Sequence, residues 1–149
     1  MELIPISKDG KPEKEIKNLH PIAENILTAT VELYKTASYE PPWVGYLVLD
    51  DIGECIGTCA FKSPPINNTV EIAYFTFPEY EGRGYASRMA NNLVHIALKA
   101  QPGIKVIAQT LPEENASTSI LKKAGFVFDK EVDHPEDGLV WEWKFVGGK

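Results

Sequence analysis

Two glycines one residue apart, Gly82 and Gly84, stand where an apolar run, Val70 to Phe77, gives way to a periodic helix. A tight turn that opens into a helix presents backbone N–H groups without partners in the helix, and the positive end of its dipole. Such a place takes a phosphate or a pyrophosphate. Glycines at 82 and 84 let the backbone approach phosphate oxygens with no Cβ in the way. The N–H groups of Arg83, Gly84, Tyr85, Ala86 and Ser87 are the expected donors. Arg83 either adds charge toward a phosphate or is an exposed loop arginine. A second residue stands out upstream. Glu71 interrupts an otherwise apolar strand, which is costly unless the carboxylate is paired or put to use.

Three ligands suit a glycine turn before a helix. A nucleoside triphosphate loop ends in Gly-Lys-Ser/Thr, which the chain lacks. A dinucleotide fingerprint needs a third glycine where Ser87 stands, after the first strand rather than mid-chain. The pyrophosphate of an acyl-CoA is the third. Elsewhere the reactive residue types are scattered. His20, His95 and His134 have no spacing for a triad or a metal site, and no metal is expected. Cys55 and Cys59 are four apart on one strand, ~13 Å at the usual rise, too far to bridge. They read as reduced core residues.

The elements that must hold the turn follow from periodicity. Residues 2–6 form a short first strand. Residues 21–36 form a helix with Pro21 at its first position and an apolar stripe of Ile22, Ile26, Leu27, Thr30, Leu33 and Tyr34. Tyr39 to Pro42 is a loop, Trp43 to Leu49 a strand, and Glu54 to Lys62 its antiparallel partner across an Asp-Asp-Ile-Gly turn. The strand Thr69–Phe77 leads into the glycine turn. The helix behind it carries Ala86, Met89, Ala90, Leu93, Val94, Ala97 and Ala100 on one face and stops at Pro102-Gly103. Ile104 to Leu111 is a strand covered on both faces. A short helix from about Asn115 ends at Gly125. Phe126–Val132 and Leu139–Phe145 are the last strand pair, with Trp141 and Trp143 facing a core beside Leu139 and Phe145. The unit from 69 to 111 places its two strands parallel by a right-handed crossover. The expected fold is α/β (α+β), a mixed and mostly antiparallel sheet with helices on both faces.

At 149 residues, with 44% hydrophobic and 24% charged residues, the chain is expected to form one domain over 1–149. No stretch approaches the ~20 apolar residues that span a bilayer. Met1 to Ser7 lacks the regions of a signal peptide, so a cytoplasmic location is expected and no membrane partner. A formal charge of −6 argues against nonspecific nucleic-acid binding and is compatible with a cationic small substrate.

With these elements in place, the chain resembles the GNAT superfamily of N-acetyltransferases, and within it the ribosomal-protein-alanine N-acetyltransferase-like branch. Its pyrophosphate loop, Gln/Arg-x-x-Gly-x-Gly/Ala, is matched by Glu81-Gly82-Arg83-Gly84-Tyr85-Ala86 at Gly84 and Ala86, with Glu81 departing at the first position. A second block, Asn115 to Phe126, is similar to that branch's Asn-x-x-Ser…Leu-x-Lys-x-Gly-Phe motif. When Ser117 and Leu121 are aligned, the family's Asn falls on Glu114, with Asn115 one place later. The resemblance covers roughly residues 43–146. It implies a GNAT-like fold with a parallel strand pair around the CoA site, acetyl-CoA as co-substrate, and direct attack by an amine without an acyl-enzyme. It implies cofactor contacts from Phe75, Thr76 and Phe77, whose strand the family splays with a bulge, and from the Asn115 position. In that reading Glu71, in Glu71-Ile72-Ala73-Tyr74, is the general base or a binding group for the cationic acceptor. Ser117 is a proton donor to the leaving thiolate or a first-turn helix cap. Tyr39 and Trp43 flank the loop where the family builds its acceptor pocket. The acceptor is a small amine or a protein N-terminus, and exposed strands at the sheet ends leave a homodimer open. A catalytically silent acyl-CoA-binding or regulatory module on the same fold is the alternative.

Overall fold

The computed structural model describes residues 1–147. Its elements are β1 (Glu2–Pro5), α1 (Pro21–Ala37), β2 (Gly45–Leu49), β3 (Cys55–Phe61), β4 (Thr69–Thr76), α2 (Tyr85–Ala100), β5 (Lys105–Thr110), α3 (Ala116–Lys123), β6 (Phe126–His134) and β7 (Gly138–Phe145). A single 3-10 turn, Pro78–Tyr80, links β4 to the glycine turn. The seven strands form one mixed sheet in the order β1-β2-β3-β4-β5-β7-β6. Every pairing is antiparallel except β4 with β5, the pair joined by α2. This is the expected mixed sheet. The position of β7 between β5 and β6 is a feature that strand patterning did not supply.

The two faces are covered by different helices. Residues of β4 with even numbers point toward α2: Val70 and Ile72 are buried there with Met89, Leu93 and Val94. A Cβ on Gly57, which pairs with Thr76, would run into the Phe75 carbonyl and come within 2.7 Å of the Met89 methyl. On the opposite face α1 lies over β1 and β2. Thr30 sits against Gly45, and the Tyr34 hydroxyl donates to Ile6 O (2.8 Å) while accepting from Gly45 N (3.0 Å). The expected stripe of α1 faces the sheet through Ile22, Ile26, Leu27, Thr30 and Tyr34. Ala23 and Tyr34 are the buried positions of the helix, and Leu33 is exposed.

His20, one residue before the expected helix, is the N-cap of α1. Its Nδ1 accepts from Ile22 N (3.1 Å), its Nε2 lies 2.9 Å from a Glu79 carboxylate oxygen, and its ring stacks on Phe77 at 4.2 Å. One imidazole thereby caps a helix and ties it to the turn after β4. At the other end of the sheet Trp143 is buried, but Leu139 on the same strand face, next to the β6–β7 turn, is exposed. Cys55 and Cys59 are free and buried, as expected. Among the described residues no helix is long and apolar enough to cross a membrane.

Candidate acyl-CoA cleft

The last backbone rung of β4 is Phe77 N to Ile56 O, 2.9 Å. Beyond it Gly82 and Gly84 adopt φ of 79° and 82°, and Gly84 is the residue that starts α2. This left-handed region is disfavoured for residues with a Cβ. No side chain caps the helix. The first intrahelical bond is Arg88 N to Gly84 O (3.3 Å). Tyr85, Ala86 and Ser87 therefore hold N–H groups with no partner inside the helix. All three residues line a cleft of about 580 Å³, with Gly82 and Gly84 at its rim.

The cleft continues between β4 and β5. Their parallel pairing runs only through Thr69↔Lys105, Val70↔Val106 and Glu71↔Ile107, while β4 stays paired with β3 as far as Thr76↔Gly57. From Ile72 onward the two strands diverge into a wedge. Antiparallel pairing alternates the direction of backbone groups along a strand. Lys62 N bonds Glu71 O, and Phe77 N bonds Ile56 O, so the odd-numbered residues of β4 turn their backbone groups toward β3. The N–H groups of Tyr74 and Thr76 accordingly face the wedge, and that of Phe75 faces β3. Thr76 also holds a buried hydroxyl with no hydrogen-bond partner. Burial pushes the Tyr74 phenol up to about 12, so at neutral pH it is a proton donor and not a base.

The facing wall belongs to α3: Ala116, Ser117, Ser119, Ile120 and Lys123. Asn115 is spent on the helix. Its side chain accepts from Thr118 N (3.2 Å), and its own N–H donates to the Thr118 hydroxyl (3.0 Å), a reciprocal cap. Thr118 is fully buried in consequence. Ser117, the neighbour free of capping duty, is exposed at the cleft.

Of the residues singled out by sequence, the structure gathers Phe75, Thr76, Gly82, Gly84, Tyr85, Ala86, Ser87 and Ser117 around one cleft. The others lie outside its lining. Arg83 folds back over the Tyr80 ring (5.5 Å). Phe77 is buried under His20. Tyr39 packs edge-on against Tyr34, and Trp43 is buried against Phe61. Tyr74, Tyr80, Ala116, Ser119, Ile120 and Lys123 also line the cleft and were not singled out, and Glu81 joins them at the departing motif position. Lys123 lies two residues before Gly125 in the second motif, which was the available signal.

Glu71 sits at the apex of the wedge, where pairing with β5 ends, on the sheet face away from α2. Lys62 Nζ lies 2.9 Å from its Oε2, a charge contact without hydrogen-bond alignment, and that oxygen is buried. On the same face the register aligns Gln109 two residues beyond Ile107, and Glu142 beside Gln109. Glu142 is only 7% exposed, with Gln109 Nε2 at 3.4 Å. Sequence reading did not single it out.

Comparisons with known proteins bear on the fold and the family. A putative GNAT-family acetyltransferase from Bordetella pertussis superposes with a TM-score of 0.66 at 18% identity, over 97% of this chain and 94% of that one. A ribosomal-protein-alanine acetyltransferase from Vibrio fischeri gives 0.64 at 22% identity, over 89% and 77%. A spermidine N-acetyltransferase variant from Vibrio cholerae gives 0.64 at 16% identity, over 91% and 78%. No curated protein sequence matches the chain significantly. The family model described as an acetyltransferase (GNAT) domain matches residues 12–127, most of the chain and all of the wedge, the glycine turn and α3. The chain belongs to the GNAT acetyltransferase family.

Proposed function

We propose that this protein transfers an acetyl group from acetyl-CoA to a primary amine by direct attack on the thioester. The observation that carries the reading is the continuity of one cleft from the unpartnered N–H groups at the start of α2 to the wedge between β4 and β5. The residues fit the co-substrate. A pyrophosphate matches the N–H groups of Tyr85, Ala86 and Ser87 with the glycine turn, and Lys123 brings a positive charge to the same cleft. An extended pantetheine arm matches the strand-like gap, where Tyr74 and Thr76 N–H and the orphan Thr76 hydroxyl await partners. Acetyl-CoA, when bound, supplies an acyl group already activated as a thioester. The wedge N–H groups polarise a carbonyl placed between the strands. Ser117 or the protonated Tyr74 phenol stands ready to give a proton to a departing thiolate.

In this reading the acceptor approaches from the other sheet face, where Glu71, Gln109 and Glu142 are aligned. An amine at neutral pH must lose a proton before it attacks. Glu71 is the proposed acceptor of that proton, with Glu142 helping to hold the cation. The acceptor is a small amine or a protein N-terminus in the cytoplasm.

A panel of amines assayed with acetyl-CoA, with wild type beside Glu71→Gln, tests the reading. Glu71→Gln is expected to keep CoA affinity while lowering kcat by about 100-fold, the lower end for loss of general base catalysis. Unchanged turnover would remove Glu71 from the mechanism. Its charge contact with Lys62 favours one second reading, a catalytically silent acyl-CoA-binding module. Tight CoA binding with no amine acetylated across the panel would establish that reading. Binding of ATP or NAD more tightly than CoA would sink both.

A further inference from the structure

A second cavity, of about 460 Å³, lies on the far side of α3 from the cleft and is lined by Phe128, Trp141, Trp143, Glu131, Glu114 and Lys122. We propose that it binds a small organic cation of the alkylammonium class. The three rings meet edge to face: Phe128 to Trp141 at 5.5 Å and 74°, Phe128 to Trp143 at 6.0 Å and 83°, with the indoles 6.3 Å apart. Aromatic faces carry the negative part of a quadrupole and attract cations within about 6 Å. Glu131 accepts from the Trp141 indole N–H (3.3 Å), which fixes a carboxylate at the edge of the ring cluster.

The chain itself places an ammonium here. Lys122 Nζ lies 6.0 Å from the centre of the Trp143 ring and 2.9 Å from Glu114 Oε2. That pairing, an ammonium between a carboxylate and an indole face, is the interaction an external cation would repeat on Trp141 and Phe128. These two rings and Glu131 line the same cavity.

The acidity of the cavity has a local cause. Phe128 pairs with Trp143, and by simple alternation Lys130 would come next on that face, opposite Trp141. A bulge between Phe128 and Lys130 shifts the register by one residue. Lys130 is turned to the other face opposite Glu142, and Glu131 is delivered to Trp141. The extra residue thus exchanges a cation for an anion at the ring cluster. Phe128 stays 48% exposed and Trp141 is half-buried, so these two rings are open to a ligand, while Trp143 is buried.

The site is separate from the cleft. Lys123 lines the cleft and Lys122 the cavity, and no residue lines both. Binding here can be read on the protein without acetyl-CoA, so the result stands whether or not the proposed transfer reaction does.

The chain has three tryptophans, and Trp43 is buried away from the cavity as an internal reference. Choline and its neutral isostere 3,3-dimethylbutan-1-ol are titrated while the three indole N–H signals are followed by NMR. Choline is expected to shift the Trp141 and Trp143 signals to saturation and leave Trp43 in place. The isostere should bind at least about fivefold more weakly. Lys122→Met, which removes the internal ammonium, should tighten choline, and Glu131→Gln should weaken it. Absence of saturation with choline, equal affinity for the isostere, or an equal shift at Trp43 would each overturn the proposal.

Discussion

Replacing Gly84 by alanine separates the backbone's two duties at the cleft. Gly84 sits at φ 82° with nothing within 4 Å of where a Cβ would be, so the substitution brings no clash. Its cost is conformational, about 1–2 kcal/mol for an alanine held in the left-handed region. For a chain of this length each kcal/mol moves Tm by about 2–4 °C, giving an expected drop of about 2–8 °C. The strain can be relieved by rotating the peptide out of that region, which re-aims the N–H groups of Tyr85 and Ala86. A hydrogen bond to a charged group contributes about 1.5–3 kcal/mol, so losing one weakens CoA by about 10- to 100-fold. Gly53→Ala is the control. Gly53 has φ 87°, equally open surroundings and a place in the β2–β3 turn, outside the cleft. Calorimetric titration with CoA and thermal melts on both variants decide the matter. Both should lose similar stability, and only Gly84→Ala should lose CoA affinity. Unchanged CoA binding in Gly84→Ala would refute the claim that main-chain groups at this turn hold the phosphates.

Three further outcomes follow from the packing. Gly57→Ala would drive a methyl into the Phe75 carbonyl and Met89, separating β3 from β4 beneath the wedge; a loss of about 1–3 kcal/mol or more is expected by urea denaturation. His20→Ala removes a helix cap and should cost about 1 kcal/mol, while His20→Asn should recover most of it in thermal melts. Glu79 is held below the usual carboxylate range by a backbone N–H and then by His20. Its contribution is present above the unfolded value and lost as pH falls through the folded one, so the acid side of the stability profile should flatten in His20→Ala. Burial pushes the thiols of Cys55 and Cys59 up, that of Cys59 beyond any thiolate at neutral pH. Both should resist a thiol reagent in the native state and react on unfolding; rapid labelling of the native protein would contradict their burial.

The glycine turn, α2 and the parallel pair were legible in the sequence because each is a local pattern: a strand run, two glycines and a 3.6-residue period. Features that depend on partners were not. Nothing in residues 70–76 tells where β4 leaves β5, since that is decided by which strands are adjacent and for how long. The bulge after Phe128 is likewise a property of two paired strands, and with it goes the placement of Glu131 and Glu142. Asn115 illustrates a third kind of gap. Its residue type fits a ligand contact or a cap, and only the presence of Thr118 at the right rotamer resolves it into a cap. Tyr74 looked like one more aromatic in an apolar run until the wedge left it facing a cleft.

The early end of β4–β5 pairing also bears on exchange and folding stability. The amides of Tyr74 and Thr76 belong to a strand held on one side only, so in the free protein they should exchange with solvent faster than those of Ala73 and Phe75, which bond into β3. A ligand lying along the gap would occupy the place of the missing rungs and slow those two amides selectively. It would also join the two halves of the sheet, β1 to β4 and β5 to β6, across the pairing with the shortest register. At a hundred times its dissociation constant such a ligand adds about 2.7 kcal/mol to folding. The melting temperature of this protein should therefore report the acyl-CoA level around it.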